Sequence, residues 1–410
     1  MQDTPKGLRL HIGIYGRRNV GKSSLLNALT RQTVSIVSAT PGTTTDPVEK
    51  TMEMAPIGPV VFIDTAGIDD TGDLGLMRSD RTRQMFDRTD LALVASEGDV
   101  WGDYERDLVA AFRERKIPVI AVLTKGDETP VAQTVRQSLL AEGIESAAVC
   151  STDGSGIDAL RALMARMAPE HAISQPALLA DLVPAGGLVI FVVPIDLGAP
   201  KGRLILPQVQ AIRDILDGDA MCMVVKEREL RPALDRLTQP PDLVVCDSQV
   251  VLKAAADTPP GIPLTTFSIL MARFKGELET LARGAAVIET LAPGDRVLVA
   301  EACTHHPLAD DIGRVKIPRW LRQYAGGDIH IDTFAGKDMP ADLSGYRLII
   351  HCGGCVITRG HMLGRMHAAA AAGVPMTNYG LAISLTQGVL HRALGPFPAA
   401  QEAFDSIPRG

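Results

Sequence analysis

The sequence predicts an α/β protein of three domains, each built on a largely parallel sheet, and three observations lead there. At 410 residues the chain is too long for one ordinary core, given about 150 residues per domain. Short apolar runs alternate with helix-like segments, the pattern of parallel strands covered on both faces. Turn-rich stretches interrupt that alternation around Pro169 to Pro184 and from Asp257 to Pro263. The expected domains are therefore residues 1–172, 173–262 and 263–410.

Composition narrows the class. Hydrophobic residues make up 46% and charged residues 22%, a balance that folds rather than staying disordered. The net charge of −7 offers no general basic surface, so neither nucleic acid nor membrane is expected as a partner. The first residues lack the charged-then-apolar layout of a signal peptide, and the most apolar stretch, Gly187 to Ile195, is short and contains Pro194; a cytoplasmic protein is expected. Six cysteines in that setting point to metal or redox chemistry before disulfides. Cys150, Cys222 and Cys246 stand in or beside apolar runs and read as small buried thiols. Cys303, Cys352 and Cys355 have polar, Gly-rich and His-rich company.

In the first domain, strands are expected at Leu8–Tyr15, Val60–Asp64, Leu91–Ala95, Val119–Thr124 and Ala147–Cys150, with helices such as Leu25–Arg31 and Arg106–Lys116 between them. Gly16-Arg-Arg-Asn-Val-Gly-Lys22-Ser23 follows the first strand and opens a helix, the context of a phosphate-binding P-loop. Gly16, Asn19, Val20, Gly21 and Ser24 belong to the wall of that loop. Its backbone N–H groups close around phosphate, Lys22 reaches the terminal phosphates and Ser23 ligates Mg²⁺. Asp64-Thr-Ala-Gly67 supplies a carboxylate near Mg²⁺ and a glycine N–H for the γ-phosphate, and Thr44, in Pro41-Gly-Thr-Thr-Thr-Asp46, is the expected second Mg²⁺ ligand. Lys22, Thr44 and Gly67 are the expected catalytic set.

Thr124-Lys125-Gly126-Asp127 resembles the guanine-specificity motif of GTPases, with Thr124 in place of the usual Asn. The resemblance implies that the Asp127 carboxylate accepts from guanine N1–H and the 2-amino group, a pair adenine does not offer. Ser151, in Cys150-Ser151-Thr152, stands where such GTPases cover guanine O6. The motif order resembles the GTPases of tRNA modification and ribosome assembly over about the first 165 residues. In that group an Asn at the position of Asn19, without a glutamine after the Asp-Thr-x-Gly, goes with activation by K⁺; here Ile68 follows Gly67, and an aliphatic side chain orients no water. Slow, K⁺-stimulated GTP hydrolysis is expected.

The middle domain is expected to hold strands Leu188–Val193, Met221–Val225 and Leu243–Cys246 and helices Gln208–Leu216 and Glu227–Leu237. With no catalytic motif of its own, it is the candidate for homodimer formation. The last domain opens with a helix expected over Ser268–Arg283, followed by strands Arg296–Ala300, Asp328–Phe334, Tyr346–Ile350 and Pro375–Asn378. A helix over Arg359–Ala372 ends at Gly373.

Cys303-Thr-His305 and His351-Cys352-Gly-Gly-Cys355 sit at the ends of two of these strands. Loops at strand carboxyl ends converge in an open α/β sheet, so the 45 residues between His305 and His351 do not separate the motifs in space. Three thiolates with a histidine suit a closed zinc site; three thiolates alone suit a [4Fe–4S] cube with one exchangeable iron ligand. Spacing does not choose between them.

Cys-x-His and His-Cys-x-x-Cys behind a GTPase domain resemble the [FeFe]-hydrogenase maturation GTPases, the HydF family. The segments Ala302 to Arg314, Lys316 to Trp320 and Gly42 to Pro47 share that likeness, which covers essentially the whole chain. It implies a P-loop GTPase domain followed by two further α/β domains with largely parallel sheets, using GTP/GDP, Mg²⁺ and a [4Fe–4S] cluster on Cys303, Cys352 and Cys355. It also implies a transient diiron precursor as cargo, two radical-SAM hydrogenase maturases and apo-[FeFe]-hydrogenase as partners, and a homodimer. Asp310, His305 and His351 are the candidates for fourth ligand or supporting partner of the cluster. The contrasting reading is an RNA-associated GTPase of ribosome assembly or tRNA modification with a structural zinc.

Overall fold

The computed structural model describes residues 6–30, 48–55, 57–64, 85–169, 177–194, 204–302, 311–336, 339–340 and 342–407. The chain divides into two compact units, Met1–Gln175 and Pro176–Gly410.

The first unit carries β1 (Leu10–Gly16), β2 (Val48–Met54), β3 (Gly58–Asp64), β4 (Leu91–Glu97), β5 (Val119–Thr124) and β6 (Glu145–Ala148) in the order β2-β3-β1-β4-β5-β6. All neighbours are parallel except β2 and β3. Sequence analysis missed β2 because it is an edge strand with little apolar signal: Met52 and Met54 turn to the core while Thr51 and Glu53 are exposed. The sheet is covered by α1 (Lys22–Thr30), α2 (Asp103–Glu114), α3 (Gln133–Ala141) and α4 (Ile157–Met167). On one face Leu10, Ile12 and Ile14 of β1 pack with Leu25, Leu26 and Leu29 of α1 and Leu160 and Met164 of α4. On the other, Tyr15, Phe86 and Phe112 form a mutual ring cluster with centroids 4.5 to 5.4 Å apart. Burying each large apolar side chain contributes roughly 1.5–3 kcal/mol, so the strand ends that carry the loops rest on a rigid base.

Among the described residues the second unit holds two wholly parallel four-stranded sheets. The first, ordered β10-β9-β7-β8, comprises β7 (Leu188–Val192), β8 (Met221–Val225), β9 (Leu243–Cys246) and β10 (Leu264–Thr266), with α5 (Leu206–Asp217), α6 (Leu230–Leu234) and α7 (Val251–Asp257) in its crossovers. The turn-rich run 257–263 continues no helix, as expected, yet it leads into the additional strand β10 rather than out of the sheet. The helix expected over Glu227–Leu237 is reduced to α6, with Pro232 inside its single turn.

The second sheet, ordered β12-β11-β13-β14, comprises β11 (Arg296–Glu301), β12 (His330–Ala335), β13 (Leu348–His351) and β14 (Met376–Asn378). The single helix expected over Ser268–Arg283 is two, α8 (Phe267–Lys275) and α9 (Leu278–Ala286). The chain turns extended at Gly276, and Arg359 reaches in from elsewhere: its Nη1 lies 3.3, 2.9 and 3.0 Å from the carbonyls of Arg273, Phe274 and Gly276. Those carbonyls are left without helical partners when α8 ends, and a guanidinium there also complements the negative helix terminus. The remaining helices are α10 (Ile317–Ala325), α11 (Arg359–Ala371), α12 (Tyr379–Thr386), α13 (Leu390–Leu394) and α14 (Pro398–Asp405). Gly373, with φ of 69°, follows α11 in the left-handed conformation expected of it. Among the described residues no helix is long and apolar enough to cross a membrane.

Candidate nucleotide and metal sites

The register of the first sheet pairs Ile14 with Asp64, Gly16 with Ala95 and Glu97 with Thr124, so the carboxyl ends of β1, β3, β4 and β5 open at one edge. Gly16 has φ of 142°, and a Cβ there would lie 2.2 Å from the Ala95 carbonyl oxygen, which only glycine avoids. Asn19 and Gly21 also have positive φ, 64° and 89°, turning the backbone of the loop before α1 begins at Lys22. Lys22 is 5% exposed, its Nζ donating to the carbonyls of Gly16 at 2.6 Å and Arg17 at 2.7 Å. The ammonium is thus folded over the loop that Gly16 begins. Ser23 Oγ donates to Asp64 Oδ2 at 3.1 Å, which brings together the two groups expected around Mg²⁺. Val20 is buried and Ser24 exposed. Thr44, Gly67 and Ile68 lie outside the described residues.

Thr124 has a defined task. Its Oγ1 is 2.5 Å from the Val20 carbonyl oxygen and 3.1 Å from that of Ser96, so its hydroxyl braces the P-loop against the end of β5. Asp127 is oriented by its surroundings: its own backbone N–H and the Thr152 hydroxyl, 3.0 Å from Oδ2, hold the carboxyl below its usual range. It is therefore an ionised acceptor at the mouth of the site. Lys125 has φ of 56° and pairs with Glu97 at 2.7 Å, which raises the ammonium above its ordinary value. Ser151 lies in the turn after Cys150, closed by Gly154 N–H donating to the Cys150 carbonyl at 3.0 Å.

One contact here was not read from the sequence. Arg17 in the P-loop donates from Nε to Glu105 Oε1 at 2.7 Å and from Nη2 to Oε2 at 3.2 Å, and Glu105 is wholly buried in the first turn of α2. Gly102 N–H completes the donor set around that carboxylate, 2.9 Å from Oε2. No spacing marks this pair; the only signal is an acidic residue on the inward face of an amphipathic helix.

In the second unit, β11 and β13 are neighbours with Ala300 opposite His351, so the chain runs out of both strands side by side. Cys352 N–H donates to the Ala300 carbonyl at 2.9 Å, and Ala302 N–H donates to Cys352 Sγ at 3.1 Å. Ala302 directly precedes Cys303. A second backbone N–H, from Gly354, also supports the Cys352 sulfur; burial nevertheless pushes that thiol up overall. Gly354 has φ of 62°, and a Cβ there would meet Met362 Cε at 2.4 Å. A sulfur receiving two main-chain N–H groups suits a thiolate ligand. Cys355 is half-buried, and none of the five described cysteines forms a disulfide. Cys150 and Cys246 are buried, as expected of apolar-run thiols, and Cys222 is half-buried.

His351 is 1% exposed with both ring nitrogens engaged: Nδ1 is 2.6 Å from the Cys352 carbonyl oxygen and Nε2 is 2.6 Å from Arg365 Nη1. Burial, with the adjacent guanidinium, pushes the imidazole down to about 3. As the ring sits, neither nitrogen points to a further ligand. Cys303, His305 and Asp310 lie outside the described residues. After that segment, Asp311 caps a short π-helical turn over Ile312–Lys316, and Arg314 Nη2 donates to buried Glu301 Oε2 at 3.0 Å. That ion pair joins the residues on either side of the 303–310 segment. Among the described residues no three His, Cys, Asp or Glu side chains gather as a metal site.

Comparisons with known proteins match three stretches of the chain. Residues 11–125 match the family model described as 50S ribosome-binding GTPase, residues 178–276 that of the hydrogen maturase F dimerization domain, and residues 279–396 that of the hydrogen maturase F tetramerization domain. Among curated relatives, the tRNA modification GTPase MnmE of Geobacter metallireducens is 36% identical over 150 residues, 36% of this chain and 32% of that protein. MnmE of Acaryochloris marina is 38% identical over 143 residues, 34% and 30% of the two chains. The chain thus spans about a third of the length of these curated relatives. Of solved structures, a single-residue variant of Aquifex aeolicus Era bound to GDP·AlF4⁻ shares 20% identity over 53% of this chain and 92% of that one, with a TM-score of 0.35. The two hydrogen maturase F domains together occupy more than half of the sequence behind a P-loop GTPase domain, and the chain belongs to the hydrogen maturase F (HydF) family.

Proposed function

We propose that this protein is a GTP-hydrolysing scaffold of [FeFe]-hydrogenase maturation, which binds a [4Fe–4S] cluster on Cys303, Cys352 and Cys355 and delivers a diiron precursor to apo-hydrogenase. The observation that carries the cluster reading is the Ala302 N–H···Sγ Cys352 bond, because it sets the residue before the first cysteine against the second. The described part of the donor set fits the group: a cysteine at the end of β13, with two backbone N–H groups turned toward its sulfur, is what a cluster with partly anionic sulfurs requires. When bound, such a cluster supplies an iron with an exchangeable fourth ligand as the docking point for cargo. His305 and Asp310 remain the candidates for that ligand. His351 is better placed to support the site, since both its nitrogens are taken.

GTP occupies the first unit, with Lys22 on the terminal phosphates, Ser23 and Thr44 on Mg²⁺, Gly67 at the γ-phosphate and Asp127 on guanine. Turnover is slow and rises in K⁺, which Asn19 helps to hold. The chain is organised as a GTPase region, a middle region and a cysteine-bearing region, with the second boundary after β10 rather than at 262/263, because β10 pairs with β9, and the middle region forms the homodimer. Edge strand β8 supports that assignment: it is apolar throughout, with Met221 56% and Val224 44% exposed, and its outer edge is unpaired within the described residues. Two radical-SAM maturases are the proposed suppliers of the cargo.

The test is activation of apo-hydrogenase by protein purified without oxygen after co-expression with its maturases, compared with the three Cys→Ser variants. Activation lost together with iron supports the carrier. Full activation by all three variants, or a colourless protein holding zinc, overturns it.

A further inference from the structure

We propose that Arg365 is a positioning residue of the cysteine site, which fixes the Cys352 loop through His351 and sets the reduction potential of the cluster held there. The inference rests on the cluster reading above.

The geometry begins with a group that only donates. Arg365 lies on α11, 3% exposed, and its Nη1 is 2.6 Å from His351 Nε2. A guanidinium has no acceptor, so Nε2 carries the lone pair, the ring is neutral and its proton resides on Nδ1. Nδ1–H then donates to the Cys352 carbonyl at 2.6 Å. The relay thus runs from α11 through a ring of fixed tautomer to the main chain of Cys352.

The second arm of Arg365 extends the frame. Nη2 donates to the Gly336 carbonyl at 2.9 Å, just beyond β12, and Gly336 N–H donates to the Glu301 carbonyl at 3.0 Å at the end of β11. One side chain therefore bridges the carboxyl ends of β12 and β13, and β11 is joined to them by the backbone. Cys352 is held at three atoms: its N–H by Ala300, its carbonyl by His351 and its sulfur by Ala302. A surface arginine would not be built this way.

The charge has its own effect. A buried cation beside a cluster favours the reduced, more negative state, and the effect is not screened as it would be in water. Removing it should therefore move the potential downward, while the thiols remain to bind iron.

The experiment uses the full chain, loaded with iron and sulfide without oxygen, as wild type, R365M and R365K. Iron content, the electron paramagnetic resonance spectrum of the dithionite-reduced protein and the midpoint potential are measured, with thermal unfolding to verify folding. R365M is expected to retain iron with a lower midpoint and altered g-values. R365K keeps the charge but not the planar fork, so its midpoint should return toward wild type while its spectrum stays altered. Variants that hold iron with wild-type spectrum and potential overturn the inference alone. Should R365M fail to fold, an R365K protein indistinguishable from wild type does the same. A wild-type chain that takes up no cluster overturns the cluster reading first, and this inference with it.

Discussion

The P-loop and the Cys352 loop solve related problems with different placement of charge. Each follows a parallel strand at its carboxyl end, and in the proposed function each offers backbone N–H groups to an anionic guest. In the P-loop the cation, Lys22, lies in the loop itself and folds onto the Gly16 and Arg17 carbonyls, from which a phosphate can draw it. At the cysteine loop the cation, Arg365, stands behind His351 and is held in the wall by His351 and the Gly336 carbonyl. The first charge thus lies on the loop itself, the second behind it in the wall.

That contrast breaks most visibly through its two principal ligating residues. Cys352→Ser should reduce bound iron to background and leave GTP hydrolysis near wild type, as iron analysis and phosphate release will show. Lys22→Ala should do the converse, abolishing turnover and weakening GTP binding by about 3 kcal/mol, on the order of 100-fold, while iron content persists. Loss of both activities in either variant would mean that the two sites are one cooperative machine and the comparison is false.

Asp127→Asn comes next. In the proposed function the carboxylate's hydrogen bonds to the base are charge-assisted, so GTP affinity should fall about 10- to 100-fold, and xanthosine triphosphate should gain because its base edge matches the inverted amide. Unchanged nucleotide preference would remove the guanine assignment. The smallest effect is expected at Thr124. Thr124→Val leaves the Val20 and Ser96 carbonyls without their hydroxyl partner and should cost roughly 1–3 kcal/mol of stability. Thr124→Asn, the residue usual at this position, should be milder, because its amide also donates. Equal unfolding midpoints for the wild type and the valine variant would show that the brace is dispensable.

These residues also mark where sequence reading succeeds and stops. The placement of Gly16, Lys22, Ser23, Asp64 and Asp127 at one edge of the first sheet was legible because each belongs to a motif at fixed spacing from a strand end. The strands themselves were legible where both faces are buried, as in β1 and β5, and not in the half-exposed edge strand β2. Glu105 and Arg365 were not legible, because each is placed by tertiary packing: a carboxylate 88 residues from Arg17, a guanidinium 14 residues from His351. The break at Gly276 was hidden for the same reason, since the group that stabilises it arrives from Arg359. Thr124, the one departure from the usual motif, braces the P-loop through its hydroxyl, a contact its identity alone did not reveal.

Arg359 also sets the mechanics of the second unit. It stands four residues after Cys355 and holds the end of α8, while α8 begins at Phe267 directly after β10, where Thr266 ends the strand and caps the helix through its hydroxyl at 3.1 Å. Strand, helix and cysteine loop are therefore coupled in series like links of a drive shaft, with no slack residue between the first two and a single guanidinium as the pin to the third. The β10 edge of the first sheet and the Cys355 end of the loop are thus joined by one continuous line of covalent and hydrogen-bonded contacts through α8.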